Sequence, residues 1–348
     1  MGTVTLKFDP SHLRFTGIVG TGGIGSGKFF VLNGDHTLGR EESRSGHFLN
    51  IDDYCKQHII LHYIKVLLGT PFSVIPIGKV GDDDTGQALY NEMLSTGFVM
   101  DRIEKVPNVS SLFSFCFYYP DGSGGNLTTD NSASSLVDRD FIEKAGSDIS
   151  KLGSKGIIMA APEVPLQARQ ALLEIGNKYG LFCSASFTSG EIADAFDSGI
   201  FSKIDLLAVN YDEASAIADT PVGTDTQTLV GTAIKKLQEF NKSMMISVTA
   251  GKQGSWCWDG HRLNHFPSIS TGVVSTAGAG DAFFSGVLTG LSLGLHLFDA
   301  QQLGTLIAGQ AITSPHTIDK VLDRSTLNEF LRISNVRLSD KLIKLLED

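Results

Sequence analysis

The residues whose types come closest to chemistry are Ser275-Thr276-Ala277-Gly278-Ala279-Gly280-Asp281, which run into AFFSGVLTGLSLG. Small residues let a backbone approach a ligand closely, and the apolar stretch with its Ala and Gly fits a tightly packed helix. The unpaired amides at such a helix start make an anion hole. Asp281 falls in the first turn, where the helix dipole favours the ionised, proton-accepting carboxylate. An anion hole beside a carboxylate suits phosphoryl transfer: the amides of Gly278, Ala279 and Gly280 neutralise the phosphate while Asp281 takes the proton of the attacking hydroxyl. The alternative is that Asp281 is a helix N-cap, and the string alone leaves both open.

A second loop, Gly20-Thr21-Gly22-Gly23-Ile24-Gly25, fits GxGxxG, and Gly22 to Lys28 fits GxxxxGK. A dinucleotide fingerprint or a P-loop must pass from a strand straight into a helix that holds the phosphates. Here the chain continues as FFVLN, a poor helix former, and Phe29 stands where a P-loop needs a hydroxyl. The sequence predicts instead a Gly-rich crossing out of the first strand. Lying at the ligand edge of a sheet, Gly25 and Lys28 are candidates to contact an anionic substrate.

The elements that must position these loops follow from periodicity. Short β-branched runs (FTGIVG, FSVIPIG, GIIMAA, LFCSAS, DLLAVN, SMMISVT) alternate with amphipathic stretches at 52–68, 84–96 and 165–179. This predicts an α/β fold in three layers: a mostly parallel central sheet with helices on both faces. Segments 28–48 and 109–129 break the alternation and read as hairpins outside the sheet. Together they form a small β lid over the carboxyl ends of the strands, where open α/β sheets bind ligands. After Val273 the chain turns helical, with candidate helices at 281–294, 299–313 and 325–333. No repeat or linker divides residues 1–348, so one continuous domain is expected.

With 42% hydrophobic and 19% charged residues and a mean hydropathy of +0.06, the 348-residue chain has a globular composition rather than that of a disordered, collagenous or coiled-coil protein. Its net charge of −10 gives no global field for nucleic-acid binding. No apolar run approaches the roughly 18–20 residues of a membrane span, and MGTVTLKFDP has no secretory pattern, so a cytoplasmic location is expected. Cys55, Cys116, Cys183 and Cys257 form no CxxC pair and read as small buried hydrophobes.

STAGAGDAFFSG resembles the DTxGAGDxFxxG signature of the ribokinase-like, PfkB-type carbohydrate kinases, and further motifs follow in family order. IGKVGDDDTGQALYNEMLSTGF is similar to the GxVGxDxxGxxLxxxLxxxGV segment, DLLAVNYDEA to the strand ending in NxxE, SVTAGKQGS to the TxGxxG turn, and AGQAITSPHT to the late helix and loop beside adenine. The resemblance implies ATP- and Mg²⁺-dependent phosphorylation of a hydroxyl on a sugar or sugar-like molecule, with Asp281 as base. It places Asn210 and Glu213 near the triphosphate, with Glu213 on Mg²⁺ through water. Thr249, Gly251 and Gly254 would lie along the nucleotide, and Ala308 and Ser314 against adenine.

The departures fall on the acceptor side. The family's sugar-binding Asp after the first strand corresponds to Gly25, its GGxxxN to YCKQHI, its DxNxR to Ser184-Ala185-Ser186-Phe187-Thr188, and the first Asp of the signature to Ser275. Lys28, Arg40, Arg44, His47, Lys56 and His58 put cationic or switchable groups nearby, which suits an acceptor bearing a phosphate or carboxylate. Lys28, Arg40, Arg44 and Lys56, with Gly25, are therefore the candidate acceptor residues. A homodimer closed through the lid is a further expectation. Two other classes stay open on the sequence: a non-catalytic relative that keeps the nucleotide pocket as a sensor or partner-binding module, and a nicotinamide enzyme built on Gly20 to Gly25.

Overall fold

The computed structural model describes residues 3–121, 123–221, 223–334 and 336–347; the chain ends and Gly122, within the second lid segment, lie outside the described residues. In chain order the strands are β1 (Gly17–Thr21), β2 (Gly25–Leu32), β3 (Gly46–Phe48), β4 (Asp53–Tyr54), β5 (Ser73–Gly81), β6 (Ile103–Val106), β7 (Leu112–Tyr118), β8 (Gly124–Thr128), β9 (Gly156–Ala160), β10 (Phe182–Ser186), β11 (Leu206–Asn210), β12 (Met245–Thr249), β13 (Ser255–Trp258) and β14 (Leu263–Phe266). The helices are α1 (Lys56–Leu68), α2 (Asp84–Thr96), α3 (Arg139–Glu143), α4 (Gly146–Leu152), α5 (Leu166–Tyr179), α6 (Ile192–Ser198), α7 (Tyr211–Ala218), α8 (Thr226–Gln238), α9 (Ala279–Ser292), α10 (Leu297–Ala311), α11 (Arg324–Ser334) and α12 (Asp340–Leu346).

The central sheet runs β14-β13-β12-β11-β10-β9-β1-β5-β6. It is parallel from β12 to β6, and β13 and β14 add an antiparallel hairpin that the sequence reading does not anticipate. Neighbouring residues of each central strand enter opposite layers because side chains alternate along a strand. Ile18, Val74, Ile157 and Leu206 join the layer containing α1, α9 and α10, whereas Val19, Ile75, Ile158 and Leu207 join the layer containing α5 and α8. Burial on both faces is why these strands read as continuous apolar runs. β1 continues outward to β5 on one side and to β9 on the other, so strand order reverses there and a crevice opens beyond the carboxyl ends.

The lid is a separate five-stranded sheet. β2 is central, antiparallel to β3 and β4 and parallel to β7, which pairs with β8. The Gly20–Gly25 loop leads from β1 into β2 with no helix, which removes the structural basis for a dinucleotide fingerprint or a P-loop. Its glycines make room for neighbours. A Cβ on Gly23 would meet the Glu163 carboxylate, and one on Gly25 would meet the Leu112 carbonyl across the β2–β7 pairing.

Candidate active site

α9 begins two residues earlier than the sequence reading has it. Its N-cap is Gly278, held in the left-handed region at φ 76°, with no side-chain cap bond, and Asp281 is the third helical residue. Asp281 is therefore not the N-cap, and its carboxylate turns to Lys56, whose Nζ is 3.7 Å from Oδ1. The amide of Ala279 is already engaged, donating to Thr276 O at 3.2 Å. Those of Gly280 and Asp281 have no partner within the helix by their position. Of the three glycine-turn amides expected to face an anion, that of Ala279 is thus already engaged.

Two cavities meet at this point. The narrower, about 60 Å³, is lined by Lys56, Ser186, Asn210, Glu213, Thr249, Gly280 and Asp281 among others. The larger, about 380 Å³, lies under the lid between Phe29, Asp53, Ser114, Tyr118, Asn126 and Gly278, and its size is that of a small-molecule site. Among the described residues, Lys56 and Asp281 alone line both.

Lys56 is the first residue of α1, where the helix dipole opposes a cation, and three carboxylates offset that cost. Asp281 acts most strongly, with Glu163 and Glu213 adding to it, and the ammonium is held above its ordinary range. Burial in turn pushes the Asp281 carboxyl up, an effect that the Lys56 charge opposes. Burial likewise raises Glu163 and Glu213 to about 7, each partly relieved by Lys56. Glu163 carries a positive φ of 74° and has a buried Oε2 without a hydrogen-bond partner among the described residues.

At the narrower cavity, the parallel sheet delivers Asn210 and Thr249 as the last residues of adjacent strands, in register with each other. Asn210 caps α7: its Oδ1 accepts from the Glu213 amide at 2.8 Å, and Glu213 Oε2 accepts from the Asn210 amide at 2.8 Å. Gly251 and Gly254 shape the β12–β13 turn at φ 51° and 90° without lining either cavity. Ala308 lies in α10 and Ser314 just after it, and neither lines either of these two cavities; the Ser314 hydroxyl accepts from the His316 amide.

The expected cationic acceptor residues are corrected, apart from Lys56. Lys28 stands between Gly27 and Phe29 on β2, so strand alternation turns it to the exposed outer face while Phe29 lines the cavity. Arg44 donates to Glu42 at 2.7 Å and to the His36 carbonyl at 2.6 Å, both local lid contacts. Arg40 lies exposed in the same segment, and Gly25 is packed against β7. His47 is exposed on β3 and His58 is fully buried in α1, and neither lines either of these two cavities. The sequence reading misses Asp53, Glu163, Ser114 and Asn126. Glu163 alone leaves a signal, as an acid just beyond the strand GIIMA.

Comparison with known proteins shows the family and the fold. The family model described as pfkB family carbohydrate kinase matches residues 61–324, and the chain belongs to that family. It is a carbohydrate kinase. Deoxyribokinase of Salmonella typhimurium is 25% identical over 261 residues, covering 75% of this chain and 82% of the relative. The fold is that of the ribokinases: a Giardia lamblia ribokinase structure superposes with a TM-score of 0.80 at 17% identity, over 91% of this chain and 99% of the other. A Cryptococcus neoformans ribokinase in complex with ADP gives 0.73 at 19% identity, over 90% and 99%.

Proposed function

We infer that the chain transfers the terminal phosphoryl group of ATP to a hydroxyl of a sugar or sugar-like acceptor. The observation that carries this reading is that Lys56 and Asp281 stand at the seam of the two cavities, one edged by strand-end polar groups and the other covered by the lid. The acceptor oxygen forms a bond to phosphorus as the bond to the ADP oxygen breaks. Asp281 takes the hydroxyl proton, the amides of Gly278 and Gly280 face the phosphoryl oxygens, and Lys56 lowers the negative charge between the cavities. The intact base and its ammonium partner favour catalysis over a sensor role.

No group of three or more His, Cys, Asp or Glu residues that could hold a metal occurs among the described residues. Mg²⁺ usually keeps several waters and binds through one or two carboxylates and substrate phosphates, so Glu213, the carboxylate of the narrower cavity that is not paired with Lys56, fits it. Glu213 would hold the ion through water, because both its oxygens already accept from Asn210. The ion would offset charge on the phosphates.

Mg-ATP is expected to raise the melting temperature by linkage, and NAD to leave it unchanged. Differential scanning fluorimetry checks this, and the opposite pattern would return the Gly20–Gly25 loop to consideration. We further infer a homodimer through the outer lid face, where Phe48 and Leu127 are 60% and 63% exposed and Phe30, Phe48 and Phe115 cluster. Light scattering is expected to report a dimer for the parent chain and a monomer for Phe48→Asp combined with Leu127→Asp. A monomeric parent would refute it.

A further inference from the structure

The lid contains a carboxylate for which the reaction as drawn has no use. β4 pairs antiparallel with β2, setting Asp53 opposite Gly27. The Asp53 Oδ2 lies where a Cβ on Gly27 would be, so this position is glycine because the carboxylate crosses over it. Asp53 is 8% exposed and borders the larger cavity. Its hydrogen-bond donors are the Thr317 hydroxyl and the Tyr54 amide, and Asp281 repels it. Burial raises its carboxyl to about 6. Among the described residues no Lys, Arg or His forms an ion pair with it. A buried carboxylate with two donors and no counter-cation has acceptor capacity left over and is costly unless further donors reach it, and it borders the cavity.

The remaining walls match a polyhydroxy ligand. Ser114 and Asn126 border the cavity on neighbouring lid strands, with Ser114 Oγ donating to Asn126 Oδ1 at 2.7 Å. Phe29 and Tyr118 stack at 5.6 Å and give a flat apolar wall for the C–H face of a ring. The charge is one-sided. Asp53 and Asp281 face the cavity with Lys56 the one cation among its lining residues, and Lys56 is paired with Asp281. A phosphorylated acceptor would need further Arg or Lys groups, which the lid turns outward or pairs locally.

We propose that Asp53 is the acceptor anchor, accepting hydrogen bonds from hydroxyls of the bound molecule so that another hydroxyl meets Asp281, and that the cavity takes uncharged polyhydroxy acceptors and rejects phosphorylated ones. The phosphoryl step of this assignment rests on the kinase reading of the same site; the binding step does not. The anchor comes from the short strand before α1, on the far side of β2 from the first-strand loop.

The test uses the full chain and two pairs of probes: D-ribose and 2-deoxy-D-ribose, against D-ribose 5-phosphate and D-fructose 6-phosphate. Titration calorimetry is expected to show binding of at least one uncharged sugar and of neither phosphate. Asp53→Asn, which keeps size and the Thr317 contact, is expected to weaken that sugar by about 10–100-fold, the range for a hydrogen bond to a charged group, with Mg-ATP affinity unchanged. Preference for a phosphorylated sugar, no binding of either uncharged sugar, or equal binding by the variant would each overturn the proposal. Should the variant fail to fold, the choice of the parent chain between uncharged and phosphorylated sugars decides the same point. Turnover measured alongside separates the two readings: a sugar that binds through Asp53 and is never phosphorylated supports the anchor and refutes the kinase reading.

Discussion

Asp281→Asn is expected to lower kcat by about 10²–10⁴-fold, the range for a positioned general base, with the melting temperature and the Mg-ATP affinity nearly unchanged. The Asp281 carboxylate has the Lys56 ammonium as its hydrogen-bond partner rather than a backbone amide of its helix, so an amide of the same size removes no backbone partner. What it removes is the proton acceptor. Lys56 loses its nearest carboxylate, yet Glu163 and Glu213 still act on it, so the cation is not left uncompensated. Steady-state kinetics with thermal melts check the result. A variant that unfolds with no specific kinetic defect would make Asp281 a structural residue, and full turnover would mean that another group takes the proton.

Gly278→Ala is expected to cost about 10²–10³-fold in kcat, as loss of an oxyanion donor does, with a smaller change in the KM for ATP. Gly278 sits at φ 76°, a region that costs an L-residue about 1–2 kcal/mol. An added Cβ would also come within 2.8 Å of the Thr317 carbonyl, so the turn must shift and carry its amides with it. Because those amides act on charge that develops during transfer, the loss should appear in kcat rather than in nucleotide binding. A raised KM for ATP with kcat unchanged would show that the turn serves binding alone.

Asn210 and Thr249 enter as nucleotide-site candidates only through the family resemblance, whereas their position is legible because a parallel sheet brings its strand ends to one edge. Once DLLAVN and SMMISVT read as neighbouring strands, Asn210 and Thr249 must emerge side by side, and they pair in register. Asp281 is legible for a similar reason, since small residues before an apolar helix place it in the first turn. The acceptor half is not legible. β4 is two residues long, too short to show any periodicity, and its position depends on pairing with β2. Asp53 therefore reads as one acid among several until Gly27 is found beneath it.

The misassigned cations show the same division. Period-2 alternation determines that Lys28 and Phe29 face opposite sides, but not which of them faces the cavity, because that depends on the parallel pairing of β2 with the distant β7. Arg44 presents a charge in the sequence, and its neighbours Glu42 and His36 take it up only when the lid segment folds back on itself. The sequence by itself determined the layered sheet, the helix start at the glycine turn and the acid within it, since these depend on local periodicity and backbone sterics. Tertiary structure alone decided which charges face the acceptor, because a lid built from segments far apart in the chain sets its inner face by register, which no local stretch encodes.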